Sequence, residues 1–248
     1  IGTWDSASKT CTLTSDVSEP ITIDSDGITL DGNNHTVTMP DKIHNQEAEN
    51  GISSSNHKDI TIKNFNIVCP ENYYCGSGVY VSGDVITDLQ DGVYVQTLNV
   101  DNITIEQNSF SGAGGFAWGM CKGIHVDISG IGIYFAPPVN LIIKNNYIEN
   151  VGGGGADYCG GMSIDTSEGA EIFGNTVIWS DTSIPVANHG NGIASHYWFP
   201  ENQNISDGIK IYDNVIDGVD RAFQPGKFQK IFENEIKNVY RVTENWSG

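Results

Sequence analysis

One pattern recurs down the chain: an aliphatic residue, two variable residues, Asn, one residue, then an apolar residue. It reads Ile105-Glu106-Gln107-Asn108-Ser109-Phe110 and returns around Asn146, Asn175, Asn214 and Asn234. An early copy reads Leu30-Asp31-Gly32-Asn33, and a degenerate one, Ile62-Lys63-Asn64-Phe65, carries Phe at the Asn position. Recurrence on this scale is the mark of a solenoid. Each copy opens with period-2 alternation, as in Ile60-Thr61-Ile62, which is strand spacing. Asn tolerates the left-handed backbone of a sharp bend, and stacked Asn amides bond from layer to layer. The repeat therefore predicts an all-β parallel β-helix with each Asn at a corner between two strands.

A second strand recurs between the Asn corners, opened by Gly at 51, 92, 123, 161 and 192. Strand alternation turns the third and fifth residues outward. Two outward columns follow: Ser53, Tyr94, His125, Ser163, Ala194, and Ser55, Gln96, Asp127, Asp165, His196. This is expected to be the only face that stacks titratable groups in successive coils. Insertions at 39–50, 69–91, 111–121, 151–160, 180–190 and 197–208 mostly precede the Gly-opened strand and should rise around it.

A solenoid grows by adding coils, so one domain accommodates all 248 residues, with 1–38 as first coil or cap and 239–248 as C-terminal cap. Lys and Arg number 12 against 31 Asp and Glu, a net charge of −19. That balance argues against nucleic acid, whose binding needs cations on phosphates. No apolar run is long enough to span a bilayer. The chain begins at Ile1 and reads as a mature or trimmed chain. Cys69 and Cys75 bracket a loop short enough to close, and Cys121 and Cys159 stand at equivalent places in neighbouring coils, within disulfide reach. Cys11 is left over. Up to two disulfides are expected, which points to a secreted, extracellular or cell-surface protein. Sequons occur at Asn34, Asn102, Asn204 and Asn245.

The text from Pro20 to Val37, with the later Asn corners, resembles the pectate-lyase-like right-handed parallel β-helix superfamily, which carries carbohydrate-binding and sugar-hydrolysis repeats. The resemblance covers nearly the whole chain and implies a right-handed helix of about seven to nine coils. It also implies one of the superfamily's roles: uronate lyase, epimerase, glycoside hydrolase, phage tail protein, adhesin or metallocofactor-maturation protein.

The candidate site is the outward patch His125, Asp127, Asp165 and His196. Adjacent strands bring Asp127 beside Asp165, and stacked carboxylates either raise one pKa or hold a cation such as Ca2+. Tyr94, Trp118, Tyr158 and Trp198 suit pyranose faces, with Lys227 as a polar contact. Three outcomes fit. Proton abstraction at C5 of a uronate takes His125, His196 or Tyr197 as base, and Arg221, Lys227 or calcium as neutraliser. Glycoside hydrolysis takes the paired Asp residues. The third is a non-catalytic adhesive, filament or surface-layer module that self-associates end to end. A polysaccharide is the expected partner, and the lyase or epimerase is the preferred reaction.

Overall fold

The computed structural model describes residues 1–40, 50–70, 75–82, 101–112, 122–127, 140–151, 160–165, 170–181, 185, 189–195, 209–224 and 229–243. Short runs rich in Ile, Val and Thr form the strands, and their alternation decides what is buried. In β7 (Ile60–Lys63), Ile60 and Ile62 are sealed inside while Thr61 and Lys63 face out.

The order of strands is that of a parallel β-helix. β1 (Gly2–Asp5) lies antiparallel to β2 (Thr10–Leu13) and closes one edge of the first sheet. The first coil is β2, the Val17 bridge and β3 (Ile21–Ile23). Each later coil visits the three sheets in the same order. The next are β4 (Thr29–Asp31), β5 (Thr36–Thr38) and β6 (Ile52–Ser55), then β7, β8 (Asn66–Cys69) and β9 (Ser77–Ser82). They continue with β10 (Ile103–Glu106), β11 (Ser109–Gly112) and β12 (Lys122–Asp127), then β13 (Leu141–Lys144), β14 (Tyr147–Glu149) and β15 (Gly160–Asp165). The remaining coils are β16 (Glu171–Phe173), β17 (Thr176–Ile178) and β18 (Asn191–Ala194), β19 (Lys210–Tyr212), β20 (Val215–Asp217) and β21 (Arg221–Gln224), and β22 (Lys230–Phe232), β23 (Glu235–Lys237) and β24 (Arg241–Thr243). Eight coils are thus present among the described residues. They stack into sheets A, B and C of nine, seven and eight strands.

Register is maintained from coil to coil. One inward column runs Cys11, Leu30, Ile62, Ile105, Ile143, Ile172, Ile211 and Ile231. Each fully buried Ile in it contributes about 2–3 kcal/mol. The free thiol of Cys11 takes the apolar place at one end of this column and packs on the core, as a small hydrophobe does.

The corner between sheets A and B carries the Asn ladder. Asn108, Asn146, Asn175 and Asn214 are buried. The backbone N–H and Nδ2 of Asn108 both donate to Oδ1 of Asn146 at 3.1 Å, and Nδ2 also donates to the Ile62 carbonyl. The same bonds link Asn146 to Asn175, Asn175 to Asn214 and Asn214 to Asn234. The amide stacking expected from the sequence is present, but its conformational reason is corrected. The left-handed residue is the one before the ladder position: Asn64, Gln107, Asn145, Gly174, Asp213 and Glu233, with φ from 52° at Asp213 to 63° at Gly174. The ladder Asn is chosen for its amide, not its backbone.

Two early copies also differ from the motif. Phe65 takes the ladder position in its coil and donates only its backbone N–H to Asn108. One coil earlier, Thr36 pairs with Asn66, so His35 rather than Asn33 stands opposite Phe65. That corner is two residues longer, with both Asn33 and Asn34 left-handed, and Asp16 accepts from the Thr36 N–H while pairing with His35.

Gly opens the sheet C strands because the bend there turns two successive residues toward the core. A Cβ at Gly78 would lie 2.5 Å from Phe110, and one at Gly161 the same distance from Val177. The insertions attach to this sheet. From β7 onward, corners from A to B take two residues and every longer connection enters or leaves a sheet C strand. Cys69 and Cys75 are bridged as expected, with Cα atoms 6.1 Å apart. Such bonds persist in oxidising compartments. Cys121 and Cys159 lie outside the described residues, as do Asn204, Asn245 and 244–248 of the expected cap. Residues 241–243 of that cap are β24, the last strand of sheet C. No helix among the described residues is long and apolar enough to cross a membrane.

Candidate functional site

Sheet C brings part of the expected patch together. Parallel pairing of β12 with β15 sets Asp127 opposite Asp165 and His125 opposite Ser163. Neighbouring strands are about 4.8 Å apart, so the two carboxylate-bearing positions are adjacent, with the His–Ser pair two residues back along the same strands. Two like charges so placed are stabilised by a shared proton or a cation.

One column member is corrected. The strand pairing with β6 and β12 is β9, not 92–96, so Tyr80 stands opposite Ser53 and His125 where Tyr94 was expected. The two segments are near duplicates, Gly78-Val79-Tyr80-Val81 and Gly92-Val93-Tyr94-Val95. The first copy follows the Cys69–Cys75 bridge directly, and its Val79 and Val81 are buried in the core. Ser82 likewise replaces Gln96 and donates to Ser55 Oγ at 3.1 Å. Tyr94, Trp118, Tyr158, His196, Tyr197, Trp198 and Lys227 lie outside the described residues.

Arg221 is not gathered with the carboxylates. It sits on β21, two strands beyond β15 and so about 10 Å away along the axis. It belongs to a third column, Ser77, Lys122, Gly160, Asn191, Arg221 and Arg241. Arg221 is buried, with Nε 3.5 Å from Asp220 Oδ2, and Arg241 binds the same carboxylate at 3.0 Å. A buried carboxylate held between two guanidiniums is a strong local constraint, because losing one partner strands a charge away from water. Sequence reasoning missed Asp220 and Arg241; their signal is the adjacent Asp220-Arg221 pair with a second Arg in register one coil later. Beside them Trp179 stacks on buried His189 with centroids 4.6 Å apart, and His189 Nδ1 meets the Gly218 carbonyl.

Three outward positions in the later strands of this sheet are covered. Ser163, Ala194 and Gln224 are all buried although they point away from the core. Nor is sheet C alone in stacking titratable groups. Sheet A does so too, but with alternating sign: Asp31 with Lys63 at 3.6 Å, Glu106 with Lys144 at 2.9 Å, and Glu171 with Lys210 at 2.7 Å. Sheet C sets two acidic positions opposite each other, Asp127 and Asp165, whereas the like-charged pair in register on sheet A is basic, Lys210 and Lys230. Among the described residues no cluster of three or more His, Cys, Asp or Glu forms a metal site. Comparison with protein-family models, curated proteins and solved structures finds no match for this chain.

Proposed function

We propose that this is an extracellular, carbohydrate-active β-helix protein that holds a polysaccharide along the outer face of sheet C. Its reaction is proton abstraction at C5 of a uronate, as in a lyase or an epimerase. The observation that carries the reading is the in-register pair Asp127 and Asp165 with His125 beside it, on the sheet that every long insertion joins. Loops on a rigid scaffold are where binding groups concentrate.

In this reading His125 takes the C5 proton, and the substrate carboxylate is neutralised so that the developing negative charge on it is stabilised. A lyase then expels the oxygen at C4, whereas an epimerase returns a proton to the opposite face. The paired aspartates supply oxygen donors of the kind Ca2+ takes, and a shell of about six to eight oxygens would be completed by substrate and water. Such a cation would offset the repulsion between a chain of net charge −19 and an acidic polymer. Resemblance to the pectate-lyase-like superfamily and the Cys69–Cys75 bridge both support a secreted carbohydrate role.

The test is a panel of alginate, polygalacturonate and neutral glycans, with and without calcium. Ultraviolet absorbance of unsaturated ends reports elimination, and exchange of the C5 proton with solvent reports epimerisation. Turnover that survives Asp165→Ala and His125→Ala sinks the site.

One observation favours a second reading, end-to-end association of copies. In the last coil Ile231 and Ile236 are only partly buried, and Phe232, Tyr240 and Val242 are exposed. Sedimentation that stays monomeric at high concentration removes this alternative.

A further inference from the structure

Resting on that glycan reading, we infer that Ser163 is a ligand contact, its hydroxyl hydrogen-bonding a hydroxyl or carboxylate oxygen of a polyuronate laid along sheet C. Met162 and Ile164 on either side are sealed in the core, so Ser163 stands on the outer face. It is nevertheless only 2% exposed. Its Oγ hydrogen-bonds none of the described residues. A hydroxyl removed from water without a partner is destabilising, and such orphans call for an explanation.

The position supplies one. Ser163 lies opposite His125 on one side and Ala194 on the other, with Asp165 two residues along the strand. Exposure falls along its column, from exposed Thr22 through half-buried Ser53 and Tyr80 to buried Ser163. A polymer laid along the column from its open end passes the His125 position and meets Ser163 next. Beyond it Ala194 has no polar atom, and Gln224 Oε1 already accepts from Asn191 at 3.5 Å. A serine hydroxyl both donates and accepts, which suits sugar hydroxyls and carboxylates alike.

Ser54 provides an internal control. Its Oγ shares the same deficit, but it faces the core, in register with Ile23 and Val81, where no ligand reaches. Retardation of the full chain in gels containing alginate, polygalacturonate or uncharged dextran would compare wild type, Ser163→Ala and Ser54→Ala, with a thermal melt of each. Loss of one hydrogen bond to ligand should weaken polyuronate affinity about tenfold in Ser163→Ala, with the melting temperature unchanged or raised. Ser54→Ala should leave affinity unchanged. If wild type binds polyuronate and Ser163→Ala binds equally well, the contact is overturned while the glycan reading stands. A Ser163→Ala protein with full affinity but a lowered melting temperature also overturns it, since the hydroxyl then holds the fold. If wild type binds no polyuronate, the glycan reading itself fails, and the contact with it.

Discussion

Sheets A and C are made by the same eight coils yet present opposite outer surfaces. On sheet A three outward ion pairs join neighbouring coils. Asp31 meets Lys63, Glu106 meets Lys144 and Glu171 meets Lys210. Phe173, Tyr212 and Phe232 then stack face to face with centroids 5.0 and 5.1 Å apart. On sheet C the register sets Asp127 opposite Asp165 and Ser82, and His125 opposite Tyr80 and Ser163.

The contrast breaks most directly at His125. His125→Ala should lower polyuronate turnover by about 100- to 10,000-fold, the usual weight of a general base, without moving the melting temperature. Steady-state rates beside a melting curve decide it, and undiminished turnover would make sheet C as inert as sheet A. A second, smaller effect tests the scaffold both sheets share. Asn175→Ala removes an acceptor used by Asn146 and leaves buried donors open, so it should cost about 3 kcal/mol in denaturant unfolding with glycan affinity intact. Replacing both Cys69 and Cys75 by Ser should cost about 2 kcal/mol, given the short loop they close before β9.

The smallest effects belong to sheet A. Lys144→Ala should change stability by less than about 0.5 kcal/mol and affinity not at all, because its pair with Glu106 is partly exposed. Asp31 offers a pH test of the same surface. Burial works to raise its pKa, but hydrogen bonds from Asn64 and the Asn33 N–H, with Lys63 beside it, hold the carboxyl below the ordinary value of 3.8. A depressed carboxyl stabilises the fold above its unfolded pKa, and that stability is lost as pH falls through the folded value. Acid unfolding of Asp31→Asn should therefore begin from lower stability and show a shallower loss below pH 3.8 than wild type.

How much of this was legible depends on which physics each feature uses. Strand alternation and stacking need only a pattern, so Ile105, Ile143, Ile172 and Ile211 announce a parallel solenoid directly. The Asn ladder was legible as stacking, but the φ values of Gln107 and Asn145 were not, because only the backbone geometry shows which of two adjacent residues takes the bend. Tyr80 was hidden by its duplicate at Tyr94, since periodicity cannot choose between two copies of one strand motif. The adjacency of Asp127 and Asp165 followed from register alone. The burial of Ser163 and the clamp of Asp220 by Arg221 and Arg241 did not, because both depend on what lies across coils rather than along them.

The Asn ladder has a direction. Along the amide chain each Asn presents its Oδ1 to the coil made before it and its backbone N–H to the Asn of the coil made after it, while Nδ2 donates both ways. A nascent chain emerging N-terminus first therefore holds one unfinished rung at its growing end, closed only when about one more coil has been synthesised. Completion passes forward like a zip fastener from Phe65, whose N–H donates to the first amide oxygen, to Asn234. Chains truncated from the C-terminus are expected to lose stability in steps of one rung, not in proportion to the residues removed, and equilibrium unfolding of such a series would count the rungs.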